Sequence, residues 1–168
     1  MTLGQWIVLA VALQRLAELL YSRANERRLR AQGAVELGAG HYPLIVGLHV
    51  GWVVALFAVA ADAQIVWPWL AIFGLLQPIR LWVIASLGCF WTARVLTLPG
   101  APLVSTGPYR LCRHPNYLVV AAELAVLPLA FGAWSVALAF SLVNLPLLAW
   151  RIRVENAALT GRAPVPHG

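Results

Sequence analysis

The sequence predicts an all-α integral membrane protein of about five transmembrane helices, the last two forming a C-terminal helical hairpin. Composition is the first reason. Of 168 residues, 61% are hydrophobic and 11% charged, and the mean hydropathy is +0.79; that leaves too little polar surface to coat a soluble globule of this size. Segmentation is the second: the apolar residues gather into five runs separated by polar, Gly or Pro residues, and each run approaches the length that crosses about 30 Å of hydrocarbon. The placement of arginine is the third, and it gives the runs an orientation.

Leu3–Tyr21 is the first run. No basic region precedes it, and Arg15 and Glu18 continue its helical pattern where a leader would carry a cleavage site, so it reads as a retained span. Pro43–Ala61 is the second. The third, Val66–Phe90, is the longest; continued to Arg94 it would reach roughly 42 Å and project into the cytosol, with Pro78 expected to kink it. Asn116–Phe131 and Ala133–Trp150 are short and share the turn Phe131-Gly132-Ala133, which makes them a hairpin. The tail from Gly161 is rich in Pro and Gly and is expected to be disordered, leaving residues 1–160 as a single membrane-embedded domain.

All twelve basic residues are arginine, and the net charge is +6. Their dispersal among apolar helices favours membrane lipids or an anionic cofactor as partners, and no nucleic acid is expected. Arg23, Arg27, Arg28 and Arg30 fall in the first connection, Arg94, Arg110 and Arg113 in the third, and Arg151, Arg153 and Arg162 after the fifth run; the second and fourth connections carry none. The positive-inside rule then puts the N-terminus outside and the C-terminus in the cytosol. Cys89 and Cys112 have neither disulfide nor metal spacing, and no metal site is expected.

Charged and polar groups inside the runs are costly, about 2.5–3.5 kcal/mol for a charge at mid-bilayer, and are kept for a partner or a cavity. Helical spacing puts Gln14, Glu18, Tyr21 and Asn25 on one face of the first helix, Asn116 and Glu123 on one face of the fourth, and Asn144, Arg151 and Glu155 on one face of the fifth. His49 lies inside the second run, Gln77 and Arg80 in the third. Most of these groups converge on the cytoplasmic half of the bundle. A polar pocket explains them; so do buried pairs that glue helices, such as Glu18 with Arg80 or Arg15.

The stretch Thr106 to Val120, TGPYRLCRHPNYLVV, is a basic loop of Gly, Pro and His running into an apolar helix. His114 sits on the last loop residue and Pro115 on the first helical turn, so unsatisfied backbone N–H groups and the helix dipole both favour an anionic group there. The hairpin returns a second basic segment, Arg151 to Glu155, to the same membrane surface. Arg151 and Glu155, four apart on a helix, can pair with each other. They can equally hold the carboxylate and ammonium of an amino-acid-like ligand.

With GPYR-x-x-RHPNY, a hydrophobic hairpin carrying Asn144, and R-I-x-x-E before Leu159, the chain resembles the isoprenylcysteine carboxyl methyltransferase family, polytopic membrane enzymes that use S-adenosylmethionine. The stretches Ala24 to His49 and Leu81 to Arg110 are similar to a short bacterial branch, whose members are associated with type III polyketide synthases and methylate alkylpyrones or alkylresorcinols. The resemblance covers nearly the whole chain. It implies a cytosolic cofactor site in which His114, Pro115, Tyr117, Asn144, Arg151 and Glu155 bind S-adenosyl-L-methionine, a lipophilic acceptor drawn from the bilayer, and a type III polyketide synthase as partner. One departure is plain: where the family has two consecutive Glu, this chain has Glu155-Asn156.

Methyl transfer is an in-line displacement, so the protein must align nucleophile and methyl and exclude water. An acidic enol or carboxylate is ionised near neutral pH, whereas a phenol, with a pKa near 10 like tyrosine, gains from a general base. Glu18, His49 and Glu123 are the candidate bases and Arg80 the candidate counter-charge. Three rivals stand beside this reading: a prenylcysteine-like carboxyl methyltransferase, a sterol-reductase-like oxidoreductase using a reduced nicotinamide dinucleotide, and a non-catalytic membrane helper or transporter.

Overall fold

The structure, a computed structural model, describes residues 1–159; the tail expected to be disordered lies outside the described residues. Five helices carry the fold: α1 (Leu3–Ala31), α2 (Tyr42–Val59), α3 (Trp67–Leu87), α4 (Pro115–Ala130) and α5 (Trp134–Leu159). Among the described residues four helices, α1, α2 with the turn before it, α3 and α5, are long and apolar enough to cross a membrane. α4 is apolar but spans only about 24 Å. The large apolar side chains point outward, with Leu13 at 66% and Leu75 at 68% exposure, as lipid-facing helices require.

Each helix begins and ends for a local reason. Thr2 and Gln5 form a capping box at the start of α1, and Thr2 Oγ1 also donates to the carbonyl of Ala60 at 2.7 Å, tying α1 to the end of α2. α1 stops where Gly33 takes φ +92°; Gly33 N–H donates to Arg30 O and Ala34 N–H to Leu29 O, each at 3.0 Å, a Schellman closure. α4 ends the same way at Gly132 (φ +67°), with Gly132 N–H on Leu129 O and Ala133 N–H on Pro128 O. The expected hairpin turn is thus a helix stop followed at once by α5.

Two expectations are corrected. Arg23 to Arg30 are not in a loop: α1 runs on to Ala31, because nothing between Tyr21 and Gln32 breaks a helix and Arg, Glu, Leu and Ala favour one. Arg151 and Glu155 lie within α5, as their shared helix face predicts. The third run does not reach Arg94 as helix; it stops at Leu87, where Gly88 adopts φ +52° and a short 3-10 turn, Gly88–Phe90, redirects the chain.

The ends of α1, α3 and α5 meet at one end of the bundle with the starts of α2 and α4. β1 (Val35–Glu36) pairs antiparallel with β2 (Leu96–Thr97) there, a two-residue ladder that the sequence did not announce. Asn25 Nδ2 donates to Gly88 O and Trp91 O, Ala93 N–H donates to Ser22 Oγ, and Thr97 Oγ1 donates to Ala158 O. Glu36 receives Arg30 and Arg94, and Arg94 also stacks over Tyr42. Burial works to raise the Glu36 carboxyl, but the hydrogen bonds from Arg94 and Arg30 outweigh it and hold the group below the ordinary carboxylate range. At the opposite end Val66 N–H donates to Ala130 O. The core between the two ends is apolar, with Trp52, Leu56, Leu124 and Leu127 fully buried.

Candidate functional site

The polar residues singled out in the sequence separate into two assemblies. The first lies within the bundle and joins α1, α3 and α4. Arg80 donates to both oxygens of Glu18, from Nε at 2.7 Å and from a terminal nitrogen at 2.6 Å, and its other terminal nitrogen reaches Glu123 at 2.9 Å. Arg15 lies 2.9 Å from Glu18 and 2.9 Å from Glu123. Gln14 donates to Glu18 and Gln77, and Gln77 donates to Glu123. Two guanidinium groups and two carboxylates therefore close on one another with no net charge, which is the arrangement that makes buried ions tolerable. His49 is not part of this mesh of hydrogen bonds; its Nδ1 lies 2.8 Å from Ile45 O in its own helix.

The second assembly is a cavity of about 700 Å³ at the arginine-rich end. Its lining is apolar at Leu29, Phe90, Val95, Leu98, Leu103 and Val104, and polar at the start of α4 and the end of α5. Pro115 occupies the first turn of α4, where its fixed φ suits a helix start and its missing N–H costs nothing. Gly107, at φ +56°, opens the 3-10 turn Gly107–Arg110 and lets it lie on α3: a Cβ there would press on Ser86 Oγ and stand 3.1 Å from Trp82 Nε1. Tyr109 from that turn faces the cavity, and burial, then the nearby Glu155, pushes its phenol upward, so it stays protonated at neutral pH.

The polar lining has a defined wiring. Arg151, 8% exposed, donates from Nε to the Tyr117 hydroxyl at 2.9 Å and reaches Thr92 O at 3.4 Å. Tyr117 in turn donates to Glu155 Oε2. Arg151 and Glu155 do not pair directly; the tyrosine stands between them. Among the described residues Arg151 has no carboxylate within ion-pair distance. His114 stacks on Tyr117 with centroids 5.5 Å apart and planes 25° apart, its Nε2 lies 3.1 Å from Asn156 Oδ1, and its Nδ1 and the Asn116 Oδ1 are buried without a hydrogen-bond partner among the described residues.

The cavity thus collects His114, Tyr117, Arg151 and Glu155, with Asn116 beside them, as the spacing of the two basic segments predicts. Asn144 is buried at 2% exposure but does not line it. Neither do Glu18, His49, Arg80 and Glu123; Glu123 lies about 9 Å further along α4 than Tyr117. The expectation of one pocket for all these groups is corrected to two assemblies, because the two glutamates find their arginines within the bundle. Sequence reasoning missed Thr92 and Tyr109. The GPYR motif was a signal for Tyr109; Thr92 contributes its backbone carbonyl, which no side-chain pattern reveals.

Fold and site together define a polytopic membrane protein with a polar cavity at the end where its arginines gather. Residues 69–161 match the isoprenylcysteine carboxyl methyltransferase (ICMT) family, and the chain belongs to that family, which points to a membrane methyltransferase. It is 38% identical over 160 residues to the uncharacterized protein YpbQ of Bacillus subtilis, covering 92% of this chain and 95% of that one. It is 29% identical over 159 residues to an uncharacterized protein of Haemophilus influenzae, covering 89% and 91%. No solved structure matches.

Proposed function

We propose that this protein is a membrane-embedded methyltransferase that transfers the methyl group of S-adenosyl-L-methionine to a lipid-like acceptor, an alkylpyrone, an alkylresorcinol or a related phenolic lipid. The observation that carries the cofactor is Arg151: a buried guanidinium without a carboxylate partner among the described residues, lining a cavity, is a costly arrangement unless a ligand supplies the anion. Arg151 would hold the carboxylate of the amino-acid moiety, and Glu155 its ammonium. His114 and Tyr117 present stacked rings beside them, and Asn116 Oδ1 offers an unused acceptor. When bound, the cofactor supplies an electrophilic methyl on a positively charged sulfur. The chain's own task is to orient it, keep water away and receive the acceptor along the apolar lining.

The closed neutral mesh of Arg15, Glu18, Arg80 and Glu123 is assigned to holding the helices, not to proton transfer, because neither carboxylate is free of an arginine. The acceptor class rests on the resemblance of Ala24 to His49 and Leu81 to Arg110 to the short bacterial branch, which also motivates a type III polyketide synthase as the partner that delivers it. A prenylcysteine-like carboxylate is the second reading, favoured by the family match itself.

Calorimetric titration with S-adenosylhomocysteine tests the proposal. Losing a partner of a desolvated charged hydrogen bond costs a few kcal/mol, so Arg151→Ala is expected to weaken binding by about a hundredfold or more. Arg153→Ala, on the exposed side of the same helix turn, should change little. Equal losses at both positions would mean bulk charge attraction, and tight binding of a reduced nicotinamide dinucleotide instead would move the chain to the oxidoreductase reading.

The arginine-rich end is proposed to face the cytosol, with the N-terminus outside. Thr2 and Ala158 lie at opposite ends of the bundle, held by Ala60 and Thr97 respectively. Reporter fusions placed after Ala63 and after Arg153 are expected to report opposite sides of the membrane, and the same side for both would break the five-crossing topology.

A further inference from the structure

We propose that the segment just before α4 binds the headgroup of an anionic phospholipid: Arg110 and Arg113 hold its phosphate, and Leu111 between them dips among the acyl chains. Such a site stands whether or not the chain transfers methyl groups. The chain's own acids are used up. It has six, and five are engaged: Glu18 and Glu123 by Arg15 and Arg80, Glu36 by Arg30 and Arg94, Glu26 by Arg94, and Glu155 by the Tyr117 hydroxyl. The sixth, Asp62, follows the far end of α2, at the opposite end of the bundle. Arg110 and Arg113 are exposed, and among the described residues neither has a carboxylate within ion-pair distance. Their counter-anion has to come from outside the chain.

Position says which anion. Gly107 rests on α3 so closely that a Cβ there would meet Ser86 and the indole nitrogen of Trp82. Trp82 is 52% exposed, and Leu75, Ile79 and Leu81 of the same helix are exposed too, so the turn lies on a lipid-facing part of the bundle's perimeter. An indole prefers the membrane–water boundary, and Ser86 is one turn nearer the arginine-rich end than Trp82, so the turn stands at headgroup height. Gly107 at φ +56° and the buried Pro108 fix the backbone that leads into it. Leu111 is 85% exposed, and Leu118, two helical turns further on, is exposed as well. A lone exposed leucine needs no explanation. One bracketed by two unpaired guanidinium groups at the lipid boundary has the polarity of an interfacial segment, with the apolar group toward the chains and the cations toward phosphate. The planar fork of arginine suits phosphate oxygens in particular. Arg113 also lines the cavity, whereas Arg110 and Leu111 do not.

Native mass spectrometry of the full chain in a non-ionic detergent, titrated with phosphatidylglycerol or with phosphatidylcholine of the same acyl chains, reads the site directly. Phosphatidylglycerol should bind more tightly, and each arginine near the headgroup should contribute about fivefold. Arg110→Gln should therefore weaken that binding by about fivefold, and Arg110→Gln combined with Arg113→Gln by about twentyfold or more, erasing the preference. Arg23→Gln with Arg27→Gln, exposed positions on α1, should cost much less than the Arg110 and Arg113 pair. A nitroxide on Leu111→Cys, with Cys89→Ser and Cys112→Ser, gives an independent reading in phosphatidylglycerol nanodiscs: dissolved oxygen should relax it more than a water-soluble nickel chelate does. Four results would each overturn the proposal. Equal binding of the two lipids would mean that headgroup charge is not recognised, and an equal loss from the α1 pair would mean diffuse attraction to the whole basic end. Displacement of the lipid by inorganic phosphate at equal concentration would mean a site for a soluble anion. A label relaxed mainly by nickel would put Leu111 in water.

Discussion

Arg80→Ala is expected to destabilise the bundle by about 3–5 kcal/mol, the cost of breaking a buried ion pair from one side. Arg80 satisfies three carboxylate oxygen contacts across two helices, two on Glu18 and one on Glu123. Without it, Arg15 is the guanidinium left to both carboxylates, and the mesh carries a net negative charge among largely buried side chains. Restoring neutrality should restore much of the loss: Arg80→Met combined with Glu18→Gln leaves Arg15 paired with Glu123 at 2.9 Å and puts matched apolar volume on α3. Thermal unfolding of the purified protein in detergent, compared across the two variants, is the measurement. A cost below about 1 kcal/mol for Arg80→Ala would mean that the mesh is solvated and dispensable. The double variant also separates structure from chemistry, since it should keep methyl transfer if these charges only hold helices.

The helices were legible because apolar runs of membrane length have few alternative structures, and Gly33, Gly88 and Gly132 mark three of the stops by taking positive φ. What hydropathy could not show was where helices end once they leave the membrane. Arg23 to Arg30 are polar enough to read as loop but contain no breaker, and remain helical. The cavity's polar lining was legible for a different reason: His114, Tyr117, Arg151 and Glu155 lie on two segments that a hairpin must bring together. The segment from Trp91 to Ser105 was not. It has no periodicity, yet it supplies much of the apolar lining and the carbonyl that meets Arg151. Nor can spacing alone tell whether a buried glutamate meets an arginine or a substrate; Glu18 and Glu123 were candidates for both, and three-dimensional distance decides.

An acceptor with a long alkyl tail is expected to be methylated in liposomes at least about a hundredfold faster than its tail-less head group at equal bulk concentration. Each methylene moved from water into hydrocarbon contributes about 0.8 kcal/mol, so a ten-carbon tail concentrates the acceptor in the bilayer by several orders of magnitude. The cavity offers such a molecule both kinds of surface: its lining includes the apolar Phe90, Val95 and Leu103 as well as His114 and Arg151. Moving the tail from lipid to those apolar residues gains almost nothing, because both are apolar. Delivery, not fit, should therefore dominate, and specificity should come from the head group, where an unmatched polar contact is costly. Two measurements follow from this. Turnover plotted against bulk concentration should rise steeply with chain length, whereas turnover plotted against the concentration in the membrane should be nearly flat. A soluble, tail-less acceptor that is methylated as fast as the lipid at equal bulk concentration would show that the substrate enters from water, and the apolar lining would then need another occupant.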